Sequence, residues 1–300
     1  MPNALERRDF IRTSLKAAGV TAILTMPRSG TAAGFKEAKD YTVQDVMDII
    51  LKEIPGAPFK QTVDTLKSGT ADQKVTGIVT TMFATIKLIE ETAKLGANFI
   101  IAHEPTFYNH ADDANWVAGS DIVKQKQALL KQHGIAVWRF HDQWHAHKPD
   151  GITHGVLKKA GWLDYYRDGS PVLEMPAASL KNIATHLKSS LGIEHVRVIG
   201  DLAQQCKRVA LLPGAWGGQG QMGVAEKQHP DVLIVGEVHE WETAEYIRDS
   251  VQLGSKTSLI ILGHGVSEEP GMEWLAEWLQ PKVAELTITH IASGTPFTWI

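Results

Sequence analysis

The chain has a single cysteine, Cys206, among its 300 residues. With no second thiol, an intrachain disulfide and a cysteine-built zinc site are both excluded. Long hydrophobic runs are also missing. No stretch reaches the roughly 18 apolar residues of a membrane-spanning helix, so the mature body is expected to be free of the membrane. Positive charge is not in excess either: 30 Lys and Arg face 34 Asp and Glu, giving a net charge of -4 and a pI of about 6.4. That balance lacks the concentrated basic face that nucleic-acid binding draws on. No Gly-x-Ser-x-Gly elbow occurs, and Cys206 has no histidine near it in sequence, so a serine or cysteine nucleophile has little support. Histidine, by contrast, is plentiful: there are 13, several in short clusters.

The first 34 residues read as an address rather than as part of the fold. Arg7-Arg8-Asp9-Phe10-Ile11 matches a twin-arginine pattern, and a short apolar stretch over residues 17–26 follows. Small residues at Thr31-Ala32-Ala33-Gly34 then suit cleavage. The expected location is periplasmic or secreted through the twin-arginine pathway. One cysteine suits an oxidising compartment, where no second thiol exists for mispairing.

From residue 35 the pattern alternates strand and helix, which predicts an α/β fold of two related halves with mixed sheets, residues 35–170 and 171–300. Strands are expected at residues 74–79, 98–102, 135–140, 196–199, 208–212, 231–235, 258–262 and 285–291. Helices are expected at 43–53, 84–95, 156–160, 179–192, 241–250 and 270–279. The loop at 166–176 is the best boundary.

Polar clusters follow apolar strands at four places: His103-Glu104, residues 141–147, residues 237–240 and residues 264–268. In open α/β sheets ligands gather beyond the carboxyl ends of the strands, so residues remote in sequence can converge there. Histidine and carboxylate without cysteine suit Zn, Fe, Mn or Co. His141 and His145 share a face if the chain there is helical, and so do His264 and Glu268. Glu237, His239 and Glu240 can supply a base or orient a ligand. The Gly-rich segment 213–220 either holds an anion on its backbone N–H groups or makes a tight turn; it lacks the lysine of a nucleotide-binding loop. Trp274 and Trp278, four apart, read as packing.

Together these pieces resemble the Nif-three-like family, dinuclear-metal-centre hexameric proteins often labelled GTP cyclohydrolase 1 type 2. That family has an apolar strand ending in His-His-Pro, then His-Thr-x-Leu-Asp, then Gly-His-x-x-x-Glu near the C-terminus. Here the order is His103-Glu104-Pro105, His141-Asp142-Gln143-Trp144-His145 and Gly263-His264-Gly265-Val266-Ser267-Glu268. The resemblance spans most of residues 40–291 and implies a Nif-three-like fold with two divalent metal ions on His103, Glu104, His145, His264 and Glu268. Glu104 stands where the family has its second His, and His145 where it has Asp, so the set remains three His and two carboxylates and the two positions are expected to be coupled. The implied function is that of an exported dinuclear-metal hydrolase of unknown small-molecule substrate, assembled as a homohexamer. Glu237 and His141 are the candidate proton movers, His141 also a candidate for orienting a ligand. The alternative is a non-catalytic metal-binding or metal-delivery protein.

Overall fold

The computed structural model describes residues 40–167 and 169–300; the twin-arginine reading of residues 1–34 lies outside the described residues. Along the chain run α1 (Val43–Leu51), β1 (Leu66–Ser68), β2 (Ile78–Thr81), α2 (Ile86–Lys94), β3 (Phe99–Ala102), α3 (Asp121–Gln132), β4 (Ala136–Arg139), α4 (Asp142–Ala146) and α5 (Gly151–Ala160). Then follow β5 (Val172–Ser179), α6 (Leu180–Leu191), β6 (Arg197–Ile199), β7 (Gln205–Leu212), α7 (Gly217–Gln228), β8 (Val232–Val235), α8 (Glu245–Gln252), β9 (Ser258–Ile261), α9 (His264–Leu279) and β10 (Ile288–His290). Among the described residues no helix is long and apolar enough to cross a membrane.

The strands form two five-stranded mixed sheets, ordered β1-β4-β3-β2-β10 and β5-β7-β8-β9-β6. In the first, β10, β2, β3 and β4 are parallel and β1 is antiparallel at the edge. In the second, β7, β8 and β9 are parallel, with β5 and β6 antiparallel at the two edges. Every residue of β2, β3, β4, β8 and β9 is buried. Parallel strands covered on both faces favour apolar side chains on both, which is why they read as short, mostly apolar runs, with Thr80, Thr81, Arg139 and Ser258 as buried polar exceptions.

Alternate residues feed the two faces. Ile78, Phe99, Ile101 and Trp138 pack with α1 and α9, through Val46, Ile50, Met272 and Leu275. Val79, Ile100 and Val137 point the other way, onto Leu88 and Ile89 of α2 and Leu130 of α3. The second sheet repeats this with Val209, Leu211 and Ile234 against α5 and α6, and Ala210, Leu233 and Leu259 against Ala225 of α7 and Ile247 of α8. Trp274 and Trp278 pack around Trp144 and His147; that histidine is buried among three indoles.

Helix starts follow local chemistry. Thr42 and Asp45 cap α1 reciprocally, Thr85 caps α2, and Ser179 starts α6, which closes at Gly192 in the left-handed region. Each such cap contributes on the order of 1 kcal/mol. Several expectations change: the Gly-rich segment runs into α7 at Gly217, which was not read as a helix, and the strand expected at 74–79 begins only at Ile78. Residues 121–132, not read as a helix, form α3 from the Ser120 cap. Residues 172–176, expected within a loop, begin β5. Pro176 is accommodated because β5 is an edge strand whose register shifts between Glu174 and Ala178. The expected helix at 241–250 opens with a wide π turn at Glu240–Ala244 before α8.

The element that matters most for the site is α9. It leaves the end of β9 in the second sheet and packs against β2 and β10 of the first, and along α5. The last strand, β10, therefore pairs in the first sheet beside β2 rather than with the segment preceding it. The α5–α9 crossing is close: a Cβ on Gly155 would lie 2.3 Å from the Pro270 carbonyl oxygen. Glycine there lets α9 lie against α5 and fixes where its first turn, with His264 and Glu268, is held.

Candidate metal centre

The parallel strands end on one cavity. His103 and Glu104 follow β3, His141 follows β4 with His145 one helical turn on in α4, Glu237 follows β8, and His264 and Glu268 occupy the first turns of α9. Glu104, His141, His145, Glu237, His264 and Glu268 all line a cavity of about 1,200 Å³. His103 is fully buried behind them, its ring 4.6 Å from that of His141 and 5.1 Å from that of His145. All seven sequence-predicted site residues thus come together, whereas His239 and Glu240 are turned away: Glu240 pairs with Arg197 at 2.6 Å, and His239 Nδ1 faces Glu242 at 3.1 Å.

The four imidazoles share one arrangement. His103 Nδ1 lies 3.1 Å from the Phe140 carbonyl oxygen, His141 Nδ1 2.8 Å from Asp142 Oδ1, His145 Nδ1 2.9 Å from Asp150 Oδ2 and His264 Nδ1 3.1 Å from Glu237 Oε2. An acceptor on each Nδ1 makes that nitrogen the donor and turns Nε2 towards the other members of the site. This is how metal-binding histidines are oriented in proteins. His103, His141 and His145 bring ligand atoms within 4.8 Å of one another, as do His103, Glu104 and Glu268. Clusters of His and Glu side chains in this site can therefore hold a metal ion. His103 belongs to both groupings but offers one lone pair, so it can serve only one ion at a time. His264 stands outside both; its Nε2 lies 3.2 Å from Glu104 Oε1 and 3.1 Å from Glu268 Oε2.

Charge explains why these contacts persist. Burial alone pulls the His264 imidazole down, but in the metal-free protein Glu104, Glu237 and Glu268 together push it up to about 12, so it is there a cation among three carboxylates, and an ion bound through Nε2 would displace that proton. Burial also works against the Glu104 charge; His264, His141 and Arg139 outweigh it and hold that carboxyl below its usual value. His103 moves the opposite way, well down, through burial first and then repulsion from His145 and His141. His145 is likewise penalised by burial, yet Asp150 leaves it raised overall. His103 Nε2 and Glu268 Oε2 are buried with no hydrogen-bond partner. Such orphans are costly unless a ligand completes them. The Glu268 oxygen sits near His264 Nε2 without hydrogen-bond alignment.

The supporting residues were largely invisible to sequence reading. Arg139 is fully buried. Its Nε donates to the His103 carbonyl oxygen at 3.2 Å, one amino group to the His110 carbonyl oxygen, and the other reaches Glu104 Oε2 at 3.4 Å. Asp64 accepts from the backbone N–H groups of His141, Asp142 and Gln143 at 2.8 to 2.9 Å, anchoring the start of α4. The Gly-rich segment serves packing. Gly218 N donates to Glu242 Oε2 at 3.2 Å, so the chain supplies its own anion there. Gly214, at φ +74°, approaches Glu268 so closely that a Cβ would lie 2.1 Å from Oε1. Only glycine meets both conditions.

Comparison with known proteins agrees with this architecture. The family described as Duf34/NIF3 (NGG1p interacting factor 3) matches residues 41–296. A Clostridium perfringens protein named "GTP cyclohydrolase 1 type 2 homolog" is 23% identical over 253 residues, covering 80% of this chain and 92% of its own. The protein of the same name from Escherichia coli K12 is 26% identical over 233 residues, covering 75% and 87%. A solved structure, the Bacillus cereus protein related to NIF3, superposes with a TM-score of 0.71 at 15% identity over 87% of this chain and all of that one. With the match running from the residue before the α1 cap to beyond β10, the chain belongs to the Duf34/NIF3 family.

Proposed function

We propose that this protein is a dinuclear-metal hydrolase acting on a small molecule. His103, His141 and His145 hold one divalent ion through Nε2, and Glu104, Glu268 and His264 hold the other. The observation that carries the reading is the shared Nδ1 arrangement of four histidines at the wall of a cavity of about 1,200 Å³. Small-molecule sites typically occupy about 300–1,000 Å³. At about 1,200 Å³ the cavity exceeds that range and leaves room for a substrate beside the ions, which the catalytic reading requires. The nitrogen-rich set suits Zn, Fe or Co, and the carboxylate-rich set extends to Mn.

Divalent ions at such a site supply Lewis acidity to a carbonyl or phosphoryl oxygen and make water more acidic. The chain's own residues do the rest. His141, read from sequence as a proton mover, offers its Nε2 beside the other imidazoles and takes a ligand's part. Glu237 orients His264 through Nδ1 at 3.1 Å. Its carboxylate also faces the cavity half-exposed, and is the group placed to accept a proton there. Asp142 and Asp150 fix the tautomers of His141 and His145. The assembly is read as a homohexamer, on the resemblance.

The test is metal analysis of the purified full chain, followed by phosphoester, amide and cyclic C–N substrates assayed with and without chelator. Two ions per chain and an activity that is lost on chelation and restored by metal are expected. Two ions with no activity on any class would favour metal delivery, and less than one ion would remove the centre altogether. The export reading has its own check. Arg7→Lys with Arg8→Lys is expected to retain the precursor in the cytoplasm, and normal export of that variant would refute it.

A further inference from the structure

Lys126 is only 4% exposed, yet it lines the cavity. Its ammonium has three N–H donors. Among the described residues one acceptor is in place, the Thr106 carbonyl oxygen at 2.7 Å. Among the described residues no carboxylate lies within ion-pair distance of it. The nearby negative charge, Asp112, is paired with Lys67 at 3.8 Å. The ammonium instead sits 5.3 Å from the centre of the Tyr108 ring and 6.0 Å from that of Phe107. Burial lowers it to about 8, with Asp112 working against the shift, so it is still mostly charged at neutral pH.

The wall beside it is unusual as well. Tyr108 has φ 72°, a conformation that bulky residues rarely adopt, and its ring is half-exposed at the cavity. Backbone strain of this kind persists where the surrounding structure imposes it and clusters at ligand sites. Trp216 lines the same cavity, also half-exposed. A buried cation with spare donors, set beside a tyrosine ring that faces an open volume, has the chemistry of an organic-anion site.

We propose that Lys126 is the anion-recognition residue of the cavity, and that the substrate is a ring-bearing molecule with a carboxylate or phosphate. The anion lies on the Lys126 ammonium and the ring against Tyr108. This deepens the hydrolase reading, on which it rests for the word substrate; the binding itself does not require the metal ions.

The experiment is calorimetric titration of the full chain, both metal-loaded and chelator-treated, with phenyl phosphate, benzoate and the neutral benzamide. Chelator-treated wild-type protein is expected to bind at least one of the two anions about tenfold more tightly than benzamide; which one separates phosphate from carboxylate. Lys126→Met and Lys126→Gln are expected to erase that preference, and Lys126→Arg to keep it. Lys126→Gln retains a donor for Thr106, so it guards against a folding failure of the apolar variant. Absence of saturable binding of either anion by the chelator-treated wild type overturns the proposal. So does an anion preference that survives in Lys126→Gln, which would leave the lysine as a tie to Thr106. Metal content of the same samples reports separately on the metal centre, so the two failures are distinguishable.

Discussion

On the dinuclear reading, His264→Ala is expected to reduce metal content from two ions per chain to one, and to destabilise the metal-free protein. His264 is the cation facing Glu104, Glu237 and Glu268, at 3.1 to 3.2 Å from each. Two of these carboxylates are buried, Glu104 at 7% exposure and Glu268 at 3%. Removing one partner of a buried charge pair costs about 3–5 kcal/mol, because the remaining charge stays desolvated. In a chain of this size that corresponds to a fall in melting temperature on the order of 10 °C. The His103, His141 and His145 set does not use His264, so one ion should remain. Elemental analysis and thermal unfolding in chelator read the two effects.

The pH dependence of that penalty follows from the direction of the shifts. The folded-state value of His264 is raised to about 12 from an unfolded value near 6.5. Its contribution is therefore complete below about 6.5 and fades as pH climbs towards 12. Glu104 and Glu237 are held below their usual value, so their contribution is present above it and is lost as the solution becomes acid. The gap in melting temperature between wild type and His264→Ala, measured in chelator, should be wider at pH 6 than at pH 9. A gap that widens with alkalinity, or a variant that keeps both ions, would show that His264 is not the counter-charge of these carboxylates.

Strand ends were the legible part of this site. His103, His141, Glu237 and His264 each stand just beyond the end of a buried parallel strand, where an apolar run stops abruptly at polar residues. The helical spacing of His141 with His145, and of His264 with Glu268, was legible for the same local reason. The partners that orient those ligands were not, because their roles arise from tertiary pairing. Asp150 caps α5 through Oδ1, which accepts from Thr153 N, a start the expected helix at 156–160 missed; its other oxygen holds His145. Arg139 lay inside a run read as apolar strand. A signal was available there, since an arginine within a strand buried on both faces must find a partner. Lys126 and Tyr108 left no mark at all. One depends on where α3 packs, the other on a left-handed turn that side-chain identity does not announce.

The exchange of donor types at Glu104 and His145 gives the sharpest test of whether those partners matter. By donor inventory alone, Glu104→His with His145→Asp keeps three His and two carboxylates, and so should recover what either single change loses. The surroundings say otherwise. Glu104→His leaves Arg139, fully buried, without the carboxylate that meets it at 3.4 Å. His145→Asp places a carboxylate against Asp150, whose oxygen now sits 2.9 Å from His145 Nδ1. Neither fault is repaired by the other substitution, because Arg139 and Asp150 are different residues serving different ligands. Losing an orienting partner typically lowers metal affinity about 10–100-fold. Each single variant is expected to show a loss in that range, and the double variant a loss close to the sum of the two in free energy, with little coupling. Competition titrations of Zn and Mn into the wild type, the two single variants and the double variant, all in one buffer, give the cycle. Recovery of wild-type stoichiometry and affinity in the double variant would mean that the count of nitrogen and oxygen donors governs the centre, and that Arg139 and Asp150 adapt to whichever ligand stands before them.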